Sequence, residues 1–251
     1  MPNLDQRVGV EEKLEAQIPL DLPLTNHLGK GARLRNYLDK RKPTILIFAY
    51  YTCPVLCNLV MESTTRALNK IDWTLGEDFN VVTISIDPKE KPAQAKNKRQ
   101  SVLSAYTQTK LSDQQWPFLL GNADTITAMT KTAGFRYFYD QAQEQYAHNA
   151  VLILLTPDAK IARYLYGIDF APNDLKLALL EASKREYIST TDKILLYCYR
   201  YDGSASKYVL FAESLMKIGG ALIAGMLAML LGWFWWRERR QRPPNQERLA
   251  I

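Results

Sequence analysis

Histidine and cysteine are scarce in this 251-residue chain, which has only two histidines and three cysteines. Any histidine or cysteine ligand set is therefore restricted to His27, His148, Cys53, Cys57 and Cys198. Internal repeats and low-complexity segments are also missing, which excludes a repeat array or a long disordered tract as the main architecture. With 47% hydrophobic residues, the chain has enough apolar material for one sizeable core and some appendages.

The chain also lacks a basic stripe interleaved with aromatic residues, although its formal net charge is +6. Five of its 32 Lys and Arg residues and two of its 26 Asp and Glu residues follow Lys217. Half of the excess charge therefore lies in a short C-terminal tail, and the body is nearly balanced. This distribution predicts no nucleic-acid partner.

One long uncharged segment lies just before that tail. Residues 218–236 contain no charged side chain and are long enough to cross a bilayer as a helix. Three tryptophans near the C-terminal end of the segment are typical of a membrane interface. We therefore predict a transmembrane helix over 218–236, with a buried core helix as the alternative.

The charges beside this helix predict its orientation. Arg237, Arg239, Arg240 and Arg242 follow it, and the positive-inside rule places such a cluster in the cytoplasm. We expect a single-pass protein of a bacterial inner membrane, with its larger N-terminal part in the periplasm. Residues 1–21 lack the apolar region of a signal peptide, so we expect that a signal has been removed; a cytoplasmic domain with a tail anchor is the alternative.

Apolar runs and helical spacing alternate along the body. Strands are predicted over 44–49, 78–87, 116–120, 146–155 and 161–166, helices over 58–70, 92–108, 123–133 and 172–183, and a hairpin over 18–38. An early alternation of strand and helix followed by a late hairpin predicts an α/β domain. Its mixed sheet is flanked by helices in thioredoxin-like order.

These segments divide the chain into five predicted parts. They are a mobile lead-in over 1–17, a thioredoxin-like domain over 18–190, an aromatic-rich connector over 191–217, the transmembrane helix over 218–236 and a basic cytoplasmic tail over 237–251. In the connector, Gly203 is expected at the turn of a second hairpin.

The strand over 44–49 runs into Cys53-Pro54-Val55-Leu56-Cys57 and then into a helix. If the helix begins near Cys53, the three-residue gap places both thiols on one face. Thiolates are soft ligands that favour Cu(I), zinc or iron–sulfur clusters, and a helix N-terminus lowers the pKa of a thiol. The spacing alone leaves three interpretations open: a metal site, a redox pair and two cysteines without a role.

A trigonal copper site needs a third ligand, for which the chain offers two histidines. His27 lies beside Gly29 in the predicted hairpin, where an exposed polar residue needs no further role. His148 opens the strand over 146–155, and in a thioredoxin-like sheet the loop before this strand faces the redox helix. It either completes a Cys2His site or is an ordinary histidine at a strand edge.

Three segments carry a resemblance to a known family: TCPVLC at 52–57, SIDPKEKP at 85–92 and YAHNAVLILLTPDAKIARYLYG at 146–167. Over residues 19–183 the chain resembles the Sco/SenC family of membrane-tethered, thioredoxin-fold copper proteins, which help to build the binuclear copper centre of cytochrome c oxidase. The resemblance implies a copper ion, Cu(I) or Cu(II), held by Cys53, Cys57 and His148. It also implies an outer-shell or docking role for Asp87, for which a strand-end cap is the alternative.

Two features depart from the family pattern. Lys89-Glu90-Lys91-Pro92 stands where many members have a longer Asp-Thr-Pro run, and the membrane helix is C-terminal instead of N-terminal. The partners implied by the resemblance are the copper-bearing subunit of the oxidase, the membrane, and another copper chaperone or a thioredoxin-like reductant.

Three functions remain open. The first is a copper metallochaperone, which is not an enzyme. The second is a thiol–disulfide reductase in which Cys53 attacks and Cys57 resolves, keeping the acceptor's cysteines reduced. The third is a peroxide-reducing relative of thioredoxin, for which Thr52 is present but no arginine is evident.

The unpaired Cys198 is a buried small side chain, a resolving thiol or an additional copper ligand.

Overall fold

The computed structural model describes residues 8–39, 41–54, 56–183, 199–202, 207–210 and 212–241. The strands are β1 (Gly9–Val10), β2 (Leu24–Asn26), β3 (Gly31–Ala32), β4 (Thr44–Ala49), β5 (Asn80–Ser85), β6 (Phe118–Leu120), β7 (Phe135–Asp140), β8 (Gln145–His148), β9 (Val151–Leu155), β10 (Ile161–Tyr166), β11 (Tyr199–Asp202) and β12 (Lys207–Leu210). The helices are α1 (Leu56–Leu68), α2 (Pro92–Ser104), α3 (Ala123–Thr132), α4 (Pro172–Ala182) and α5 (Ala212–Gln241).

The central sheet has seven strands in the order β10-β9-β4-β5-β6-β2-β3. β5 is parallel to both β4 and β6, whereas β9 is antiparallel to β4 and to β10. Every residue of β4 is buried, as expected for a strand that is covered on both faces. The predicted α/β class with a mixed sheet and flanking helices is confirmed.

The segment predicted as one strand over 146–155 is two strands in different sheets. β8 ends at His148, and β9 begins at Val151 and enters the central sheet. β8 instead pairs with β7 in a three-stranded sheet of order β1-β7-β8. The single-strand prediction is wrong because an apolar run does not reveal a change of sheet at Asn149 and Ala150. His148 therefore ends a hairpin strand and does not open a central one.

The described part of the predicted lead-in has regular partners. β1 pairs with β7 through Gly9 and Arg136, and Gln17 forms a β-bridge with Lys160. Residues 8–17 thus have backbone partners that their polar side chains do not predict, and the mobility of the lead-in over 1–17 stays a prediction. The predicted hairpin over 18–38 contains the pair β2 and β3, but a 3-10 helix follows at Leu34–Tyr37.

A glycine permits this attachment of the N-terminal segment. Gly134 follows α3 with φ +63°, and its carbonyl oxygen accepts a hydrogen bond from Glu11 N at 2.9 Å. A Cβ on Gly134 would lie 1.8 Å from the backbone oxygen of Glu11. We expect Gly134→Ala to lower the free energy of unfolding by about 1–3 kcal/mol, since alanine is strained at this φ and also displaces the segment.

Urea denaturation monitored by circular dichroism measures this loss. Gly31→Ala is the matched control, because no atom lies within 4 Å of its added Cβ. Equal stability of the two variants would contradict the tight approach of residues 11 and 134.

Helix α5 contains the predicted transmembrane segment over 218–236. Residues Gly220–Arg237 have a mean hydropathy of 1.3, and all their side chains are exposed. The alternative of a buried core helix is wrong, whereas the length and composition needed to cross a membrane are present. Before this helix, β11 and β12 pair in antiparallel fashion, and Gly203 lies outside the described residues.

Candidate metal centre

The loop between β4 and α1 places Cys53 and Cys57 next to each other. The chain makes a tight turn in which Cys53 N donates to the Tyr50 carbonyl oxygen at 3.3 Å. Because α1 begins at Leu56, Cys57 lies in its first turn and Cys53 precedes it. Cys57 N donates to Cys53 Sγ at 3.3 Å, so this sulfur satisfies an N–H group that a helix start leaves without an internal partner.

Neither cysteine forms a disulfide, and both are almost fully buried, with 5% of Cys53 and 1% of Cys57 exposed. A hydrogen bond with Cys53, burial, and the negative charge of a Cys53 thiolate raise the pKa of Cys57. The expectation that the helix N-terminus lowers the thiol pKa is wrong for Cys57, because its neighbour and its burial outweigh the helix. Cys57 therefore keeps its proton in the metal-free protein.

The end of β8 brings His148 to this pair. Its Nε2 lies 3.3 Å from Cys57 Sγ, and its Nδ1 lies 2.9 Å from the Asn149 carbonyl oxygen. A carbonyl oxygen only accepts, so Nδ1 carries the proton and Nε2 presents its lone pair to the sulfur. Burial lowers the pKa of His148 and favours the neutral ring. This is the arrangement that metal-binding histidines commonly have.

Aromatic rings enclose the histidine and the first cysteine. The rings of Phe135 and Tyr50 lie 5.8 and 6.1 Å from the imidazole, and the ring of Tyr146 packs edge-on against Tyr50 at 5.4 Å. Burial and a hydrogen bond with Cys53 raise the pKa of Tyr50, so its phenol remains protonated beside the sulfur. The sequence did not indicate that these aromatic rings lie around the site, although Tyr50 precedes TCPVLC by only two positions.

Asp87 reaches this cluster through one tyrosine. Its Oδ1 accepts hydrogen bonds from Tyr146 Oη at 3.3 Å and from Lys89 N at 2.9 Å. Burial and the charge of Asp87 raise the pKa of Tyr146 to about 12, so the phenol stays a donor. Asp87 thus caps the turn after β5 and also holds a ring that packs against Tyr50.

A second acidic residue of the same motif lies closer to the cysteine loop. Glu90 Oε1 accepts hydrogen bonds from Thr52 N at 2.7 Å and from Thr52 Oγ1 at 3.0 Å. Sequence reasoning assigned no role to Glu90, and the signal that was available is its place in SIDPKEKP, three residues after Asp87.

The other predicted residues lie elsewhere. His27 was expected to be exposed, but only 2% of it is exposed, and its Nε2 lies 3.5 Å from Asp113 Oδ1 beside Arg99. It lines a separate cavity of about 640 Å³ and takes no part in the Cys53 site. Cys198 lies outside the described residues. Within the part of the chain that is described, no three His, Cys, Asp or Glu side chains form a compact metal cage as they stand.

The sequence model of the SCO1/SenC family matches residues 11–178. The chain belongs to the SCO1/SenC family. This match covers α1, both cysteines of the loop, Asp87 and His148, and it confirms the family that the three motifs indicate.

A curated relative is the mitochondrial "Protein SCO1 homolog 1" of Arabidopsis thaliana, which is 25% identical over 144 residues. The alignment covers 55% of this SCO1/SenC chain and 39% of that protein, so the chain spans well under half of its relative's length.

Solved structures of relatives share the fold. A protein from Aquifex aeolicus VF5 classed with electron transfer proteins matches with a TM-score of 0.60 and 24% identity, over 68% of this chain and 94% of its own. Copper-bound ScoI of Arabidopsis thaliana matches with a TM-score of 0.53 and 21% identity, over 68% of this chain and 100% of its own. BsSco matches with a TM-score of 0.53 and 20% identity, over 69% of this chain and 98% of its own. It is a member of the Sco family of cytochrome c oxidase assembly proteins in which a disulfide switch was identified. These likenesses confirm the thioredoxin-like fold.

Proposed function

We propose that this SCO1/SenC protein is a copper metallochaperone that carries one copper ion on Cys53, Cys57 and His148. The observation that carries the proposal is the 3.3 Å approach of His148 Nε2 to Cys57 Sγ, with Nδ1 tied to the Asn149 carbonyl oxygen. Two sulfurs and one imidazole nitrogen form a soft donor set that suits copper and does not suit hard cations.

Loading the site has a chemical requirement that these contacts define. Copper binds thiolates, so Cys57 releases its proton when the ion enters. Cys53 then moves from its hydrogen bond with Cys57 into a shared coordination shell. Tyr50 and Phe135 pack against the imidazole, and the cysteine loop presents the exposed residues Thr52 and Pro54. In this proposal, ligand exchange with an acceptor takes place at this loop.

The acceptor in this proposal is the copper-bearing subunit of cytochrome c oxidase, and the donor is another copper chaperone. Family membership supports this choice, together with the copper-bound and oxidase-assembly relatives. Transfer proceeds when an acceptor thiolate enters the copper shell while a donor ligand leaves. Asp87, which holds Tyr146 against the site, has a supporting role in this scheme.

The proposal includes a membrane anchor. Helix α5 inserts as a single span, with the arginines that follow it in the cytoplasm and the copper domain in the periplasm of a bacterial inner membrane. The exposed side chains of residues 220–237 support insertion, because so many exposed apolar groups are unfavourable in water.

A second candidate function rests on the contact between the two thiols. Cys53 and Cys57 form no disulfide and are hydrogen-bonded to each other, so the pair has the adjacent reduced thiols that a dithiol reductase requires. In this reaction a Cys53 thiolate attacks an acceptor disulfide, and Cys57 then attacks the mixed disulfide. The acceptor leaves with two thiols, because the two electrons come from oxidation of the Cys53–Cys57 dithiol to a disulfide, and a thioredoxin-like reductant restores the dithiol.

Copper reconstitution of the full chain in detergent tests the leading proposal. The reduced protein is incubated with Cu(I) or Cu(II), desalted and analysed for metal content. We expect about one copper per chain, as in three-coordinate thiolate–imidazole sites. Cys53→Ser and Cys57→Ser should each abolish stable binding, and Cys198→Ser should retain it. Failure of the unmodified protein to bind copper in either oxidation state would rule out the chaperone role.

A further inference from the structure

The turn after β5 returns an acidic side chain to the cysteine loop. Glu90 N donates to the Asp87 carbonyl oxygen at 3.3 Å, which closes the turn, and only 8% of Glu90 is exposed. A carboxylate this deeply buried is unfavourable unless it is hydrogen-bonded. Its position therefore depends on the donors that it meets.

Three neutral donors meet the Glu90 carboxylate. Oε1 accepts from Thr52 N at 2.7 Å and from Thr52 Oγ1 at 3.0 Å, and Oε2 accepts from Ser85 Oγ at 2.6 Å. Ser85 is fully buried at the end of β5, so it is a fixed point of the central sheet. The carboxylate thus connects the sheet to the residue that precedes Cys53.

The neighbouring residue is anchored as well. Tyr51 Oη donates to the Leu119 carbonyl oxygen at 2.6 Å and contacts the Thr83 carbonyl oxygen at 3.3 Å. Tyr51 is buried, whereas Thr52 is exposed and has no packing of comparable extent to hold it. Without Glu90, Thr52 would lose both hydrogen bonds to the carboxylate, so the chain before Cys53 would be held less tightly and the direction of Cys53 Sγ would vary more.

We propose that Glu90 is a positioning residue that fixes Cys53 Sγ for copper through its hydrogen bonds to Thr52. The part of this inference that concerns copper binding rests on the proposed copper function, whereas the positioning of the cysteine loop does not. Glu90 acts by geometry, since its oxygens are occupied by Thr52 and Ser85 and the sulfur atoms have other partners. Groups that are hydrogen-bonded directly to a ligand typically change metal affinity by about 10- to 100-fold, and because Glu90 bonds Thr52 and not Cys53, we expect an effect near the lower end of that range.

The test compares variants in the full-length protein. Glu90→Ala removes all three hydrogen bonds, and we expect a loss of copper affinity of about 10-fold with a shifted thiolate-to-copper absorption band. Glu90→Gln keeps an oxygen acceptor of the same length for Thr52 and should recover most of the affinity and the band. Glu181→Ala is the matched control, because Glu181 is a partly buried carboxylate that binds Arg163 on the far strand β10.

A second readout does not involve copper. In the reduced, metal-free protein, iodoacetamide should label Cys53 faster in Glu90→Ala than in the unmodified protein or in Glu181→Ala, because a released loop exposes the sulfur. If Glu90→Ala does not fold, Thr52→Val serves instead, since it removes only the hydroxyl donor; it should show a smaller change in the same direction.

The two readouts separate the possible failures. If the unmodified protein binds no copper but labelling accelerates in Glu90→Ala, the copper function fails and the positioning role stands. If copper binds, and neither affinity, absorption nor labelling differs between Glu90→Ala and Glu181→Ala, the positioning role is overturned and the copper function stands. A labelling rate in Thr52→Val equal to that of the unmodified protein would also overturn it.

Discussion

His148→Ala is expected to lower copper affinity by at least about 100-fold, because loss of an outer partner alone costs about 10- to 100-fold and this change removes a ligand. The imidazole is the one proposed ligand that disulfide exchange does not use. We therefore expect the variant to reduce a peptide disulfide at nearly the rate of the unmodified protein. Competition with a copper chelator measures the first quantity, and thiol release from the peptide measures the second.

His27→Ala provides the matched control for this experiment. It removes the other histidine, which is also buried but lies beside Asp113 and Arg99 in a separate cavity. Its copper affinity should be unchanged even if its stability falls. If His148→Ala keeps full copper affinity and loses disulfide reduction, the chaperone function is wrong and the reductase function replaces it.

The sequence predicts the architecture around Cys53 and Cys57 well, because the signals there are local. A buried run at 44–49, a loop with two cysteines and a helical pattern are each visible within a few residues. The C-terminal helix is predicted for the same reason, since an uncharged run over 218–236 is by itself long enough to cross a bilayer.

The parts that escaped prediction depend on contacts between distant segments. The apolar run at 146–155 reads as one strand, yet β7, which has no strong pattern, draws residues 145–148 into another sheet. Residues 8–17 are held through backbone hydrogen bonds, which leave little trace in side-chain type. Glu90 contacts Thr52 only because the turn after β5 brings it next to the cysteine loop. The sequence separation between Glu90 and Cys53 does not predict that contact.

The thiol chemistry shows a related limit. A helix N-terminus favours a thiolate, but the pKa of Cys57 also depends on burial and on a second sulfur that competes for the same proton. The position of Cys57 in the sequence predicts the effect of the helix N-terminus, but it does not predict the effects of burial and of the second sulfur. The direction of the pKa shift of Cys57 therefore required the three-dimensional arrangement of Cys53 and Cys57 and the burial of the pair.

We expect the buried aromatic residues beneath the cysteine loop to make a large contribution to the free energy of unfolding. Trp116 has the largest side chain among those that are fully buried, and its Nε1 donates to Thr83 Oγ1 at 3.0 Å. Its ring lies 6.4 Å from Phe118, which in turn lies 5.3 Å from Tyr51. Trp116→Ala should lower the free energy of unfolding by about 3–5 kcal/mol, because it leaves a large cavity and an unpaired hydroxyl.

For a chain of this size, that loss corresponds to a decrease in Tm of roughly 6–20 °C. Circular dichroism of the reduced, metal-free protein measures it, with Trp73→Ala as the control, because Trp73 is only partly buried at the edge of the core. Below its Tm, Trp116→Ala should still bind copper, since Glu90 and Ser85 hold the loop independently of the indole. Equal losses of stability for the two tryptophan variants would contradict the burial of Trp116, and loss of copper binding in the folded variant would mean that the loop depends on the ring stack beneath Tyr51.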